Sequence, residues 1–208
     1  MKEYIGAEAI LEKKKKYIMP CLGHFYREPR QIVRGSMQYL LDSEGRKYLD
    51  CFAGVSVINC GHCNPEITEK VTKQVETLQH VCNIYLTENF VNLAEKLAEV
   101  TPGDLQKSFF CSTGTEATEG AALLATIHTG SSEFIALRNG LHGRTKLTMS
   151  LTGIGMWRTD PNPVGGIQFA PNPYCYRCPL GKTHPECGLA CADEVETIIR
   201  TATSGRPA

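Results

Sequence analysis

The stretch from Lys107 to Ala117 limits the fold more than any other part of the chain. Phe109, Phe110 and Cys111 form an apolar triplet suited to a buried strand. Ser112, Thr113, Gly114 and Thr115 follow as a turn of small residues. Ala117, Ala121, Leu124, Ala125 and His128 then recur at helical spacing, and Gly130 is a natural stop. Thr113 and Glu116 stand at the spacing of a capping box. A helix start carries free N–H groups and the positive end of the helix dipole, so it attracts anions, phosphate above all. Gly114 admits an anion close to the backbone, and three hydroxyls add donors. Two readings stay open on this motif alone: an ordinary capped helix after a strand, or a phosphate site.

Composition removes several function classes. The 208 residues are 42% hydrophobic and 21% charged, with a formal net charge of zero, as in a water-soluble globular chain. No basic footprint for nucleic acid or for a membrane surface is present. The run Lys13 to Lys16 lies beside Glu8 and Glu12 and reads as a solvated helix face. No apolar run is long enough to span a bilayer, and no secretory or transit pattern opens the chain, so cytoplasm is expected. Ten cysteines in so apolar a chain do not require a disulfide scaffold. Cys21, Cys51, Cys60, Cys63, Cys82 and Cys111 are expected to be buried small hydrophobes.

In chain order, a helix over 3–16 precedes short strands at 32–33, 38–41 and 47–50 around the turn Asp42 to Arg46. Pro65 opens a helix striped by Ile67, Val71, Val75 and Leu78. A second helix over 89–100 is striped by Phe90, Leu93, Leu97 and Val100. After the opening motif, a strand over 133–138 should bury Phe134, Ile135 and Leu137. Asn139 to Arg144 is a loop, and Lys146 to Leu151 alternates like a further strand. Residues 152–185 are mostly loop, and a last helix begins near Ala192. This alternation predicts an α/β fold, a mostly parallel sheet covered by helices, preceded by a small meander.

Gly35, the run Leu41 to Asp50, and Gly61-His62 with Pro65 resemble the N-terminal signature of class III aminotransferases, pyridoxal-phosphate enzymes of fold type I. Ser112 to Ala117 resembles their phosphate-binding turn, and Asn139 to Thr145 the loop that covers the cofactor ring. The resemblance runs from about residue 30 to the end. It implies residues 1–60 as an N-terminal segment and 61–208 as the first part of the large cofactor-binding domain. It implies pyridoxal 5'-phosphate as cofactor, an amine or ω-amino acid donor, a 2-oxo acid acceptor, and a homodimer. It places Ser112, Thr113, Gly114 and Thr115 at the phosphate, and Leu141, His142 and Gly143 at the ring. Val55, Tyr85 and Arg144 fall on the substrate side. Val55 reads equally as core packing, His142 as a loop-structuring residue, and Arg144 as half of a structural ion pair.

Two departures follow. Leu141 stands where relatives carry an aromatic ring that stacks on the cofactor. The lysine that forms the imine, and the carboxylate that pairs with the pyridine nitrogen, are expected downstream of residue 208, which makes this chain an N-terminal portion awaiting a C-terminal half. Asp193-Glu194-Val195 imitates the carboxylate motif but precedes an amphipathic helix, and neither Lys146 nor Lys182 matches the imine lysine. A rival reading is a non-catalytic zinc- or partner-binding fragment. In it Cys175, Cys178, Cys187 and Cys191 act as a metal knuckle, with His184 as a spare ligand. A loop packed by cysteines, or a disulfide, is the other explanation of that cluster.

Overall fold

The computed structural model describes residues 4–208, and these form two compact units, one ending at Thr87 and one running from Glu88 to Ala208. The first unit opens with helix α1 (Ala7–Tyr17), with Glu8 in its first turn and Lys14 to Lys16 in its last, the charge order the helix dipole favours. Of the helix expected over 3–16, Glu3 lies outside the described residues, residues 4–6 precede the helix, and 7–16 are helical as expected. Strands β1 (Ile32–Ser36), β2 (Tyr39–Asp42) and β3 (Lys47–Leu49) form the expected meander, antiparallel throughout.

The β2–β3 turn is built on one carboxylate. Asp42 is 3% exposed. Its Oδ1 accepts the N–H groups of Glu44 and Arg46, both at 2.9 Å. Its Oδ2 accepts from Arg46 Nε at 2.8 Å and from the Tyr48 hydroxyl at 2.7 Å. Burial pushes the carboxyl pKa up, but the bonds from Tyr48, Arg46 and Glu44 outweigh it and hold the group well below the ordinary range. A depressed folded-state value stabilises the fold at pH above the unfolded carboxylate value of about 3.9, and that contribution is lost as pH falls through the folded value. Amide protection of β1 to β3, followed by hydrogen exchange, is therefore expected to fall below about pH 4. An Asp42→Asn variant starts less protected and shows a smaller acid-induced loss; equal losses in both proteins contradict this role.

Asp50 closes the meander in a similar way. Its Oδ2 lies 2.7 Å from His62 Nε2, and its Oδ1 accepts the Phe52 and Ala53 N–H groups at 3.0 and 2.9 Å. The His62 bond, then the Ala53 N–H, hold the Asp50 carboxyl below its usual range. Met37 and His62 bond through both backbone groups, at 2.7 and 2.8 Å. A Cβ on Gly35 would stand 2.7 Å from that of His62, so the strand admits only glycine where the histidine crosses it. Between these anchors lies the four-residue turn α2 (Ala53–Ser56), left-handed throughout, with φ of 47° at Ala53, 66° at Val55 and 61° at Ser56. Helix α3 (Pro65–Thr77) starts as expected, with Pro65 in the first turn and Asn64 Oδ1 accepting from the Glu66 and Ile67 N–H groups.

The second unit carries α4 (Glu88–Val100), α5 (Gly114–Thr129), β4 (Phe134–Leu137), α6 (Lys146–Leu151), β5 (Ile167–Ala170) and α7 (Ala190–Ala202). Strands β4 and β5 pair in parallel, Phe134 opposite Ile167 through Leu137 opposite Ala170. Helix α7 packs on β5, and α5 meets α6. Among the described residues Ala122, Ala136, Leu151, Ala170 and Pro171 are the buried apolar ones of this unit, with Thr148, Ser150 and Thr152 buried among them. Gly130 ends α5 in the left-handed conformation, as its place in the sequence predicts.

Several expectations are corrected. Phe109 to Cys111 is not a strand: a strand needs a hydrogen-bonding neighbour, and none of the described strands pairs with it. Phe109 is 85% exposed, and Phe110 instead meets Phe90 edge-on, with ring centroids 5.0 Å apart. Lys146 to Leu151 is a helix, because the Thr148 side chain reaches back to the Thr145 N–H at 3.1 Å and caps it. On β4 the residue turned inward is Ala136, while Leu137 is 41% exposed. Strand β5 forms within the stretch read as loop. The six cysteines expected to be buried are all exposed, because the short strands and turns around them enclose little volume.

Candidate functional site

The α5 N-terminus presents donors to open space. Thr113 Oγ1 accepts the Glu116 N–H at 3.2 Å, and the Glu116 carboxylate accepts the Ser112 and Thr113 N–H groups at 3.0 Å each. This is the expected capping box, and it fixes the turn without using the N–H groups of Gly114 and Thr115. Among the described residues those two meet no protein acceptor. Nothing lies within 4 Å of where a Gly114 Cβ would stand. Two free donors at the positive end of a 16-residue helix, facing an open approach, suit an anion.

Thr115 turns the other way. Its Oγ1 lies 2.9 Å from Thr148 Oγ1 and accepts the Arg144 N–H at 3.0 Å. Thr148, fully buried, also contacts Thr145 Oγ1 at 2.7 Å, and Thr145 Oγ1 donates to Glu119 on α5. Gly143 fits into this cluster at φ 140°, where a Cβ would be driven into Thr115 Oγ1 and come within 2.6 Å of Thr148 Oγ1. Three further bonds pin the 139–145 loop: Asn139 N–H to Asn172 Oδ1 at 3.0 Å, His142 N–H to buried Thr152 Oγ1 at 3.1 Å, and Gly153 N–H to Gly140 O at 2.9 Å. The residues expected at the phosphate and those expected at the ring are thereby fastened into one body. Leu141 is exposed. The His142 ring lies against Gly140, where a Cβ would stand 2.9 Å from Nε2, which fits its loop-structuring reading.

The Arg144 side chain is exposed and pairs with no carboxylate among the described residues. Lys146 is engaged instead, 2.7 Å from Asp160 Oδ2 and donating to Asn162 O. The Lys146 bond, then the Asn162 N–H, lower the Asp160 pKa. Val55 and Tyr85 belong to the first unit. Val55 is 68% exposed, and Tyr85 is also exposed. Asp193, Glu194 and Val195 lie inside α7, not at a strand end. Among the described residues no three His, Cys, Asp or Glu side chains are gathered closely enough to hold a metal.

Residues 25–205 match the aminotransferase class-III family. The chain belongs to that family. The Arabidopsis thaliana alanine–glyoxylate aminotransferase 2 homolog 2, mitochondrial, is 41% identical over 200 residues, covering 96% of this chain and 41% of that protein. The acetylornithine aminotransferase of Methanosarcina acetivorans is 39% identical over 154 residues, covering 74% of this chain and 38% of that protein. Among solved structures, an (S)-enantioselective omega-transaminase from Thermomicrobium roseum superposes with a TM-score of 0.81 at 29% identity, over 99% of this chain and 49% of that one. The Pseudomonas jessenii omega transaminase in complex with PMP gives a TM-score of 0.77 at 27% identity, over 92% of this chain and 46% of that one. This class III aminotransferase chain thus spans two fifths to half the length of these relatives. Its α/β architecture is that of the fold type I transaminases. No described helix is long and apolar enough to cross a membrane.

Sequence reasoning missed Thr145, Thr148, Thr152 and Glu119, which build the joint between turn and loop. The only local signal was the three-residue spacing of Thr145 and Thr148, another capping spacing.

Proposed function

We propose that this chain supplies the phosphate and ring-covering part of a pyridoxal 5'-phosphate transaminase site, which moves an amino group from an amine or ω-amino acid donor to a 2-oxo acid. The observation that carries the proposal is the open, doubly donating α5 N-terminus tied through Thr115 to the 139–145 loop. The Gly114 and Thr115 N–H groups hold the phosphate, with a hydroxyl of Ser112 or Thr113 beside them. Leu141 covers one ring face by apolar packing, and His142 and Gly143 set the height of the loop above it. Arg144, exposed and unpaired, meets a substrate carboxylate, and Val55 and Tyr85 border the substrate. When bound, the pyridoxal group supplies an electron sink for charge developing at the donor's α-carbon. The protein's part is to orient donor and ring and to keep water from the reacting carbon.

In this reading residues 1–60 belong to the N-terminal segment and 61–208 to the first part of the large domain, the working form is a homodimer, and the compartment is the cytoplasm. Neither Lys146 nor Lys182 forms the imine, since Lys146 is held by Asp160. The test uses the protein as isolated from its native cell, loaded with pyridoxal 5'-phosphate and given an amino donor alone. Bound cofactor is expected to appear as pyridoxamine 5'-phosphate, and borohydride reduction is expected to label neither Lys146 nor Lys182. No donor-dependent conversion overturns the proposal, and a single adduct on Lys146 overturns its lysine assignment.

A further inference from the structure

Cys175 opens a 3-10 turn (Cys175–Arg177), and Cys178 closes it. Side chains three residues apart eclipse on a 3-10 turn, and the rise of about 2 Å per residue brings their Cα atoms within the span a disulfide bridges. Both cysteines line one small cavity of about 20 Å³, which Cys187, Cys191, Lys182 and His184 also line. The pair is asymmetric: Cys175 is exposed and Cys178 is half-buried. We propose that Cys175 and Cys178 form a redox-active Cys-x-x-Cys pair that exchanges with low-molecular-weight disulfides, Cys178 attacking first and Cys175 resolving.

The surroundings of Cys178 suit the first step. The nearby backbone N–H groups of Lys182, then Leu180, and with less weight Gly181 and the Lys182 charge, hold the thiol below its usual range although burial opposes them. The Cys178 thiolate forms a bond to one sulfur of the small disulfide, the S–S bond of that disulfide breaks, and a small thiolate leaves and takes up a proton. Cys175 then gives up its proton and bonds to the Cys178 sulfur, and the second small thiolate departs. Two protein thiols are oxidised and one small disulfide is reduced to two thiols, with no other reagent. The turn lies three residues beyond Asn172, whose side chain accepts the Asn139 N–H at the root of the 139–145 loop, so the modified segment adjoins the candidate site. The inference does not rest on the transaminase reading.

The experiment equilibrates the native protein with mixtures of reduced and oxidised glutathione at pH 7, then quenches with acid, alkylates free thiols and maps tryptic peptides by mass. Trypsin cuts after Arg177, so a Cys175–Cys178 disulfide leaves two peptides joined until reduction. This linkage is expected to form before any other, with Cys178 alkylated roughly tenfold faster than the remaining cysteines. Cys175→Ser is expected to stop at a Cys178–glutathione mixed disulfide, and Cys178→Ser to yield neither species. Pairing of Cys178 with Cys187 or Cys191, reactivity no greater than that of the other cysteines, or stoichiometric zinc that blocks alkylation of the native protein each overturns the proposal. None of these readouts depends on a variant folding, because the wild-type map decides between them.

Discussion

Replacing Gly143 by alanine is expected to destabilise the second unit by more than about 3 kcal/mol and to weaken pyridoxal 5'-phosphate binding by more than tenfold. Two costs combine. A φ of 140° is a conformation that side chains rarely adopt, which alone costs about 1–3 kcal/mol. The added Cβ also enters the space of Thr115 Oγ1 and stands 2.6 Å from Thr148 Oγ1. Thr115 must turn away, which breaks its contact with Thr148 and its bond from the Arg144 N–H. The loop that carries Leu141 and His142 then loses its attachment to the α5 N-terminal turn. Urea denaturation followed by the fluorescence of Trp157, the only tryptophan and a member of the same unit, checks the stability term, and equilibrium dialysis checks the binding term. Gly114→Ala provides the contrast: its Cβ meets nothing within 4 Å, so stability is expected to stay within about 1 kcal/mol while anion access narrows.

Thr148→Val is expected to cost about 2–3 kcal/mol, far more than its near-equal volume suggests. The hydroxyl is fully buried, and its loss leaves the half-buried Thr145 N–H without the partner it holds at 3.1 Å and leaves Thr115 Oγ1 with only its bond from the Arg144 N–H. A group left unpaired away from water carries a desolvation cost of about 1–3 kcal/mol, and the lost Thr115 contact adds to it. Thr115→Val alone is expected to cost less, because the Arg144 N–H it abandons is exposed to water. The double variant is expected to be less destabilised than the sum of the singles, by about 1 kcal/mol, since both remove one shared contact. Additive losses show that Thr115 and Thr148 act independently.

What the sequence discloses and what it withholds divide along the range of the interactions. The capping box of Thr113 and Glu116, the Gly130 stop, and the Pro65 start are local devices, legible from spacing alone, and the structure has all of them. The β1–β3 meander is legible too, because a turn as compact as Asp42 to Arg46 dictates which strands meet. Strands that pair across distant segments are not. Ile167 to Ala170 gives four ordinary residues in a Gly- and Pro-rich stretch, and only its in-register pairing with β4 makes it a strand. The triplet at Phe109 errs the other way, with strand-like residues and no described partner. Lys146 to Leu151 alternates like a strand over six residues, too few to separate a period of two from 3.6, and the Thr145 cap decides it as a helix. At the candidate site the donor-bearing turn at the α5 N-terminus is visible in sequence because backbone groups make it. The inward face of Thr115 is invisible, because its partners lie 29 and 33 residues away.

The measurement that tests the central claim most directly compares the affinity of the native protein for pyridoxal 5'-phosphate with its affinity for pyridoxal, which lacks only the phosphate. Two charge-assisted bonds from the Gly114 and Thr115 N–H groups predict a preference of about 100-fold for the phosphorylated form, with inorganic phosphate competing for the same site. Equal affinity for the two, or binding that inorganic phosphate leaves untouched, contradicts the assignment of the α5 N-terminus as the phosphate cradle.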